Sequence, residues 1–218
     1  WLGNMPSHWQ EKKIQHIAVA GNIGAGKTTL VELLSKSFNW EIMYEDVENN
    51  PYLQDFYENM PRWSFNLQIY FLNSRFNQIR KIRQATRPVI QDRTIYEDAN
   101  IFAPNLHEMG LMTQRDFSTY LTLYDTLLSQ YEHPDLMIYL RASVPKLVEQ
   151  IRTRGRDYEE NIRIDYLGRL NDYYERWIEQ YSHSPKLIVN IDECNFKDNP
   201  EQLGEVINRV HSQLYGLF

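Results

Sequence analysis

Gly21-Asn22-Ile23-Gly24-Ala25-Gly26-Lys27-Thr28 carries the spacing G-x-x-x-x-G-K-[ST]. Glycines so placed let a backbone curl until successive N–H groups point inward, where they bind phosphate oxygens. Lys27 adds a compact cation for β- and γ-phosphates. Thr28 adds a hydroxyl for a Mg²⁺ ion that keeps most of its ligands as water and phosphate oxygen. The bare pattern also fits a glycine-rich turn ending on an exposed lysine, but its context favours the phosphate loop. The apolar run His16–Ala20 precedes it, and Leu30, Leu33 and Leu34 follow on one side of a helical pattern. Strand, loop and helix N-terminus, with the positive end of the helix dipole, are what triphosphate binding needs.

Three more groups suit chemistry at such a loop. Tyr44-Glu45-Asp46 ends a second apolar run; Glu45 there can take a proton from an attacking hydroxyl, or be a solvated loop acid. Gln91-Asp92-Arg93-Thr94 ends a third run. Asp92 suits Mg²⁺ or its waters, and the Arg93 fork can tie a carboxylate to an acceptor oxygen. Arg152-Thr153-Arg154-Gly155-Arg156 sets three arginines around one glycine. That suits a lid closing on a triphosphate, and equally a basic helix end complementing its dipole.

These groups need a frame. Five short runs rich in Ile, Val or Leu read as buried strands: His16–Ala20, Glu41–Tyr44, Pro88–Gln91, Leu136–Leu140 and Lys186–Asn190. Helical patterns separate them, which predicts right-handed crossovers and an α/β fold, a five-stranded parallel sheet flanked by helices. Arg62–Gln84 is the clearest helix, with Phe65, Ile69, Leu72, Phe76, Ile79 and Ile82 at spacings of three and four, and Pro61 at its start. Further helices are expected over Thr113–Gln130, Arg163–Tyr181 and from Pro200 onward. One domain is expected over 14–218, with 1–13 as a tail.

Composition narrows the partners. With 218 residues and a net charge of −6, the chain lacks the basic excess of a nucleic-acid binder. No apolar run reaches the ~20 residues of a membrane span, and no signal segment is evident near Trp1. The one cysteine, Cys194, fits a reducing compartment, so a cytoplasmic location is expected. The six histidines show no i, i+4 pair, so no structural metal is expected.

Taken together, GNIGAGKTT (21–29), YEDVENNPY (44–52), RWSFNLQIYFLNSR (62–75), QDRTIYED (91–98), the D-x-x-IYLR strand (135–141) and RGRDYE (154–159) resemble the deoxynucleoside kinase family, the bacterial purine branch above all. The resemblance runs from Ile14 to the C-terminus. It implies a P-loop kinase with an arginine lid that acts in nucleotide salvage. Such a kinase moves the γ-phosphoryl of ATP to the 5′-hydroxyl of a deoxynucleoside. A purine is favoured, deoxyadenosine first, with deoxyguanosine and deoxycytidine as further acceptors.

The resemblance also implies residue roles. Gly21 through Thr29 would hold ATP with Arg152, Arg154 and Arg156. Glu45 would be the general base, Arg93 its partner, and Lys27 the phosphate cation. Thr28 and Asp92 would hold Mg²⁺. Gln68 would pair with the base, Arg75 and Asp98 would read its edge, and Tyr57 and Glu159 would hold the sugar 3′-hydroxyl. Gln68 and Arg75 lie seven apart, hence on nearly one helix face; without the resemblance they read as a polar strip on a half-exposed helix. An Arg–Asp pair suits adenine or cytosine and fits thymine worst. A homodimer, packed through the Arg62–Gln84 and Thr113–Gln130 helices, and inhibition by an end-product deoxynucleoside triphosphate are implied as well.

Two positions depart from the family pattern. Asp46 follows the base where proline is common, adding a second carboxylate. Asn50 stands where animal members tend to carry a bulky aromatic. Two rival readings remain: a nucleoside monophosphate kinase, which would need extra cations for the acceptor phosphate, and a non-catalytic nucleotide-binding subunit.

Overall fold

A computed structural model describes residues 13–45, 47–155 and 162–216. The sheet contains β1 (His16–Gly21), β2 (Glu41–Met43), β3 (Val89–Asp92), β4 (Leu136–Arg141) and β5 (Lys186–Asn190). Their order is β2-β3-β1-β4-β5, and every pairing is parallel. The five expected strands are thus all present, with ends shifted by a residue. Pro88 stays outside β3, having no N–H for the ladder; its carbonyl accepts from Glu41 N instead.

Alternate side chains of β1 feed two cores. Ile17 and Val19 face one side, where they pack with α1 (Lys27–Phe38) and β4's Leu136, Ile138 and Leu140. Ala18 and Ala20 face the other, and their small size leaves room for the large side chains of the helices that cover it. Those include α2 (Leu53–Glu58), α3 (Met60–Gln84), α6 (Gln114–Leu128) and α8 (Ile164–Gln180). Helices α7 (Val144–Arg154) and α9 (Pro200–Tyr215) follow β4 and β5.

The expected helices hold to within two residues. α3 starts at Met60, because Asn59 caps Arg62 N with its side chain and Pro61 occupies the first turn. Thr113 caps α6 in the same way through Asp116 N. A helical run over 95–108 was not legible as such. It is built from α4 (Ile95–Glu97), a π turn (Asp98–Phe102) and α5 (Ala103–Glu108). A π turn carries an extra residue per turn and shifts the apolar period, which hides a helix from periodicity.

β1 is central, and the chain crosses from it to opposite sides. The carboxyl ends of β1 and β3 are neighbours, with Val19 opposite Asp92. At such a switch point the crevice beyond the strand ends is open for ligand. The phosphate loop leaves β1 there, and Asp92-Arg93 ends β3 beside it.

Candidate active site

The phosphate loop is preformed. Gly24 (φ 83°) and Gly26 (φ 91°) take left-handed backbone. Gly26 is the N-cap of α1 and makes no side-chain cap, so the first amides of that helix have no partner within it. Ile23 N donates to Asn22 Oδ1 (2.7 Å) and Ala25 N to Asn22 O (3.0 Å). Outer contacts hold the loop's shape. Asn22 Nδ2 donates to Asn171 Oδ1 (2.9 Å) and Leu167 O (3.2 Å) on α8, and Gln150 on α7 donates to Gly24 O (2.5 Å).

Gly24 has no room to change. A Cβ there would lie 2.7 Å from Ile151 Cγ1 and 3.0 Å from Leu147 O, at a φ that disfavours side chains. Gly24→Ala is therefore expected to cost about 2–4 kcal/mol in thermal or urea unfolding and to weaken nucleotide binding with it. An unchanged melting temperature would contradict this packing.

Lys27 is buried and its Nζ donates to Asn22 O at 3.3 Å. Burial and the Arg93 cation push its pKa down to about 8, against the pull of Glu45, Asp92 and Glu97. A bound triphosphate, being polyanionic, restores the charged form. Thr28 Oγ1 donates to Asp92 Oδ2 (2.6 Å), while buried Asp92 Oδ1 has no partner. Burial raises the Asp92 pKa, with the Lys27 charge opposing. A hydroxyl beside a half-satisfied buried carboxylate fits a hydrated divalent cation.

Lys27, Glu45 and Arg93 line one cleft with Gly24, Tyr57, Gln68, Asp98 and Arg154, enclosing about 610 Å³, part of it open to solvent. Its other walls are apolar, with Phe56, Leu67, Phe71 and Phe102 among them. Glu45 is not a solvated loop acid. Its side chain is 17% exposed, and its Oε1 accepts from Arg93 Nε (2.8 Å) and Arg75 Nη2 (3.4 Å). Burial pushes its pKa up, but Arg93, Arg75 and Lys27 together carry it down to about 2.

Arg93 itself has φ 70°, a left-handed conformation that costs a side-chain-bearing residue about 1–2 kcal/mol. Its N–H to Val19 O (2.9 Å) and four side-chain contacts hold it there. The guanidinium lies 4.7 Å from the Phe102 ring centroid.

Gln68 and Arg75 are fully buried on α3 rather than forming a half-exposed strip. Arg75 Nε lies 3.2 Å from Asp98 Oδ2, yet the pair is too poorly aligned to hydrogen bond. Arg75 Nε and Nη1, Asp98 Oδ2 and Gln68 Oε1 thus remain without hydrogen-bond partners. Each such group costs about 1–3 kcal/mol unless a ligand or water completes it. Burial pushes the Asp98 carboxyl up to about 7, with Arg75 and Arg93 opposing. Gln68 and Asp98 line the apolar cleft and offer acceptors to the edge of a flat heterocycle, whereas Arg75, 3.2 Å from Asp98, is not part of the lining.

Not every expected residue meets the others. Arg154 lines the cleft from the last turn of α7, whereas Arg152 in the same turn is exposed and lies outside the lining. Arg156, Glu159 and Asp46 lie outside the described residues. Thr29 is half-buried in the first turn of α1, and Tyr57 is on the cleft wall. Asn50 turns Oδ1 to Tyr52 N (2.9 Å) and is not in the lining.

Two residues without an assigned role stand beside the site. Glu97 is fully buried against Arg93, and Tyr174 of α8 lies between Glu97 and the phosphate loop. The first had a sequence signal, the capping box Thr94-x-x-Glu97. The second read as one more aromatic in an apolar stripe.

Comparison with known proteins agrees with this geometry. A family model described as deoxynucleoside kinase matches residues 17–215. A deoxyadenosine kinase from Dictyostelium discoideum is 41% identical over 214 residues, 97% of this chain and 86% of the relative. A deoxyadenosine/deoxycytidine kinase from Bacillus subtilis (strain 168) is 34% identical, with 91% and 93% covered. The solved structure of deoxyadenosine kinase from M. mycoides with bound dATP superposes with a TM-score of 0.81. It is 32% identical and covers 91% of this chain and 100% of that one. Matched by that family model over most of its length and 41% identical to one of these kinases, the chain belongs to the deoxynucleoside kinase family.

Proposed function

We propose that this protein transfers the γ-phosphoryl group of ATP to the 5′-hydroxyl of a deoxynucleoside, with deoxyadenosine the preferred acceptor. The observation that carries the reading is Glu45, held by Arg93 and Arg75 in the cleft that Lys27 shares. The Gly21–Thr28 backbone and Lys27 hold the triphosphate. Thr28 and Asp92 would hold Mg²⁺ or its waters, and the ion would supply positive charge beside the phosphates.

Glu45 accepts the 5′-hydroxyl proton. Its low pKa makes it a weak base, which suffices where the transition state is loose and the proton moves late. Arg93 orients it and faces the acceptor oxygen. Arg154, with Arg156, adds charge over the phosphates, and Arg152 supports them from the same turn. Gln68, Arg75 and Asp98 read the base, while Tyr57 and Glu159 take the sugar 3′-hydroxyl. The Arg75–Asp98 pair complements a ring acceptor beside an amino group, which adenine and cytosine both present. Between them, the names of the Dictyostelium discoideum and M. mycoides relatives, both deoxyadenosine kinases, favour adenine.

The same reading makes residues 14–218 one domain, in a reducing, cytoplasmic setting that suits the lone, half-buried Cys194. It also makes the protein a homodimer through α3 and α6, where Leu123 is exposed. The end-product triphosphate inhibits by spanning both ends of the cleft, as dATP bound to the M. mycoides relative suggests.

Initial rates with ATP and Mg²⁺ test this. Deoxyadenosine is expected to lead the four natural deoxynucleosides, with thymidine lower by about 100-fold or more, because it leaves buried polar groups unpaired. Deoxyadenosine monophosphate should not be phosphorylated, and dATP should inhibit. Turnover of the monophosphate alone would make the protein a monophosphate kinase.

A further inference from the structure

Glu97 is a carboxylate with no exposed surface. Burying an ionised carboxylate is costly unless several donors meet it. Its Oε1 does the ordinary work of a capping box, accepting from Thr94 N at 2.9 Å. A three-residue helix needs no more than that oxygen, and a capping box works at a surface. Oε2 is where the burial is spent. It accepts from Gly21 N (3.2 Å), Arg93 Nη1 (3.0 Å) and Tyr174 O–H (2.6 Å).

These three donors come from different parts of the machinery. Gly21 is the residue at which β1 becomes the phosphate loop. Its carbonyl lies 2.9 Å from the Tyr174 hydroxyl, whose single proton serves either that oxygen or Glu97 Oε2. Arg93 bonds Glu45 through Nε, while its Nη1 is held by Glu97 and by the Tyr174 oxygen at 2.7 Å. A planar guanidinium fixed at two nitrogens cannot rotate away from the carboxylate it orients.

We infer that Glu97, with Tyr174, is a positioning clasp that locks the first residue of the phosphate loop to Arg93, and through Arg93 to the base Glu45. The donor cradle and the acceptor's base are thereby held in one register. This inference rests on the reading of Glu45 as base.

The test compares Glu97→Gln, Tyr174→Phe, Glu45→Gln and the double variant E45Q/E97Q, with kcat and both KM values per titrated active site and a melting curve for each. Glu97→Gln keeps the oxygen facing Thr94 N and sets an NH₂ against three donors. It is expected to lower kcat about 10–100-fold and to raise KM for ATP more than KM for the nucleoside. Tyr174→Phe removes one hydroxyl and keeps the ring's stack on Tyr139. It should shift both parameters the same way by about 3–10-fold, and it decides the matter should Glu97→Gln not fold.

Because the clasp affects kcat through Glu45, kcat of the double variant should fall no more than about twofold below that of Glu45→Gln, while the raised KM for ATP, set at Gly21, persists. A carboxylate that only stabilises the fold would lower the melting temperature and the titre of sites, leaving kcat per site unchanged. That result, or losses that multiply fully in the double variant, overturns the clasp. If Glu45→Gln turns over normally, the reading of the base falls instead. The clasp then survives only if Tyr174→Phe still raises KM for ATP.

Discussion

Glu45→Gln is expected to lower kcat by about 10²–10⁴-fold while leaving deoxynucleoside affinity within a few-fold of the parent. The amide keeps an oxygen toward Arg93 Nε and Arg75 Nη2, so the side chain stays in place. It cannot take the proton that the 5′-hydroxyl must lose. The expected signature is therefore a change in kcat with little change in nucleoside KM, which marks an interaction needed only in the transition state. Single-turnover rates with bound deoxyadenosine check it, and near-parental turnover would remove Glu45 from the chemistry.

The pH dependence follows from the same residues. Glu45 is ionised well below neutrality, since three cations carry its pKa down to about 2. A folded-state value below the unfolded one gives stability that is present above pH ~4.5 and is lost as the pH falls through the folded value. No limb in the rate profile near neutrality belongs to Glu45. A limb near pH 7 would belong to Asp98, whose carboxyl burial raises to about 7. Asp98 works in the opposite sense: its raised folded-state value lowers stability as the pH rises from about 4 to about 7.

Arg93→Leu is expected to cost about 3–5 kcal/mol of stability as well as activity. Glu97 has no exposed surface and would lose its cation, keeping only neutral donors from Gly21, Thr94 and Tyr174. Glu45 would lose the nearer of its two arginines. For a chain of this size the melting temperature should fall by about 10 °C. The diagnostic step is to add Glu97→Gln to Arg93→Leu. The double variant should melt above Arg93→Leu alone, because the stranded charge is gone. A double variant that melts lower still would show that Glu97 is not held chiefly by Arg93.

Part of the site was legible before any fold was known, because some chemistry is local in sequence. A phosphate loop needs consecutive amides and a helix start, and 21–28 supplies both within one turn of chain. Glu45 and Asp92-Arg93 were legible for a related reason. Parallel strands deliver their carboxyl ends to one edge, so acids and arginines that follow apolar runs are brought near the loop. The order of segments likewise determined an α/β sheet flanked by helices.

Distance across the fold decided the rest. That Gln68 lines a cleft and Arg75 is buried beside Asp98 depends on how α3 packs, since the same spacing describes an outward polar strip. Arg152 and Arg154 share one helical turn, yet only Arg154 reaches the cleft, because adjacent turn positions point about 100° apart per residue. The pairing of Arg93 with Glu97 and Tyr174 joins residues up to 81 positions apart. It places the Tyr174 hydroxyl at Gly21, the end of β1, and its ring on Tyr139 of β4. The sequence by itself thus determined the phosphate cradle, the strand-end acids and the fold class, because each follows from local spacing and apolar period. Only tertiary structure decided which polar groups are buried together, because burial and the pairing of charges are properties of packed neighbours rather than of any one segment.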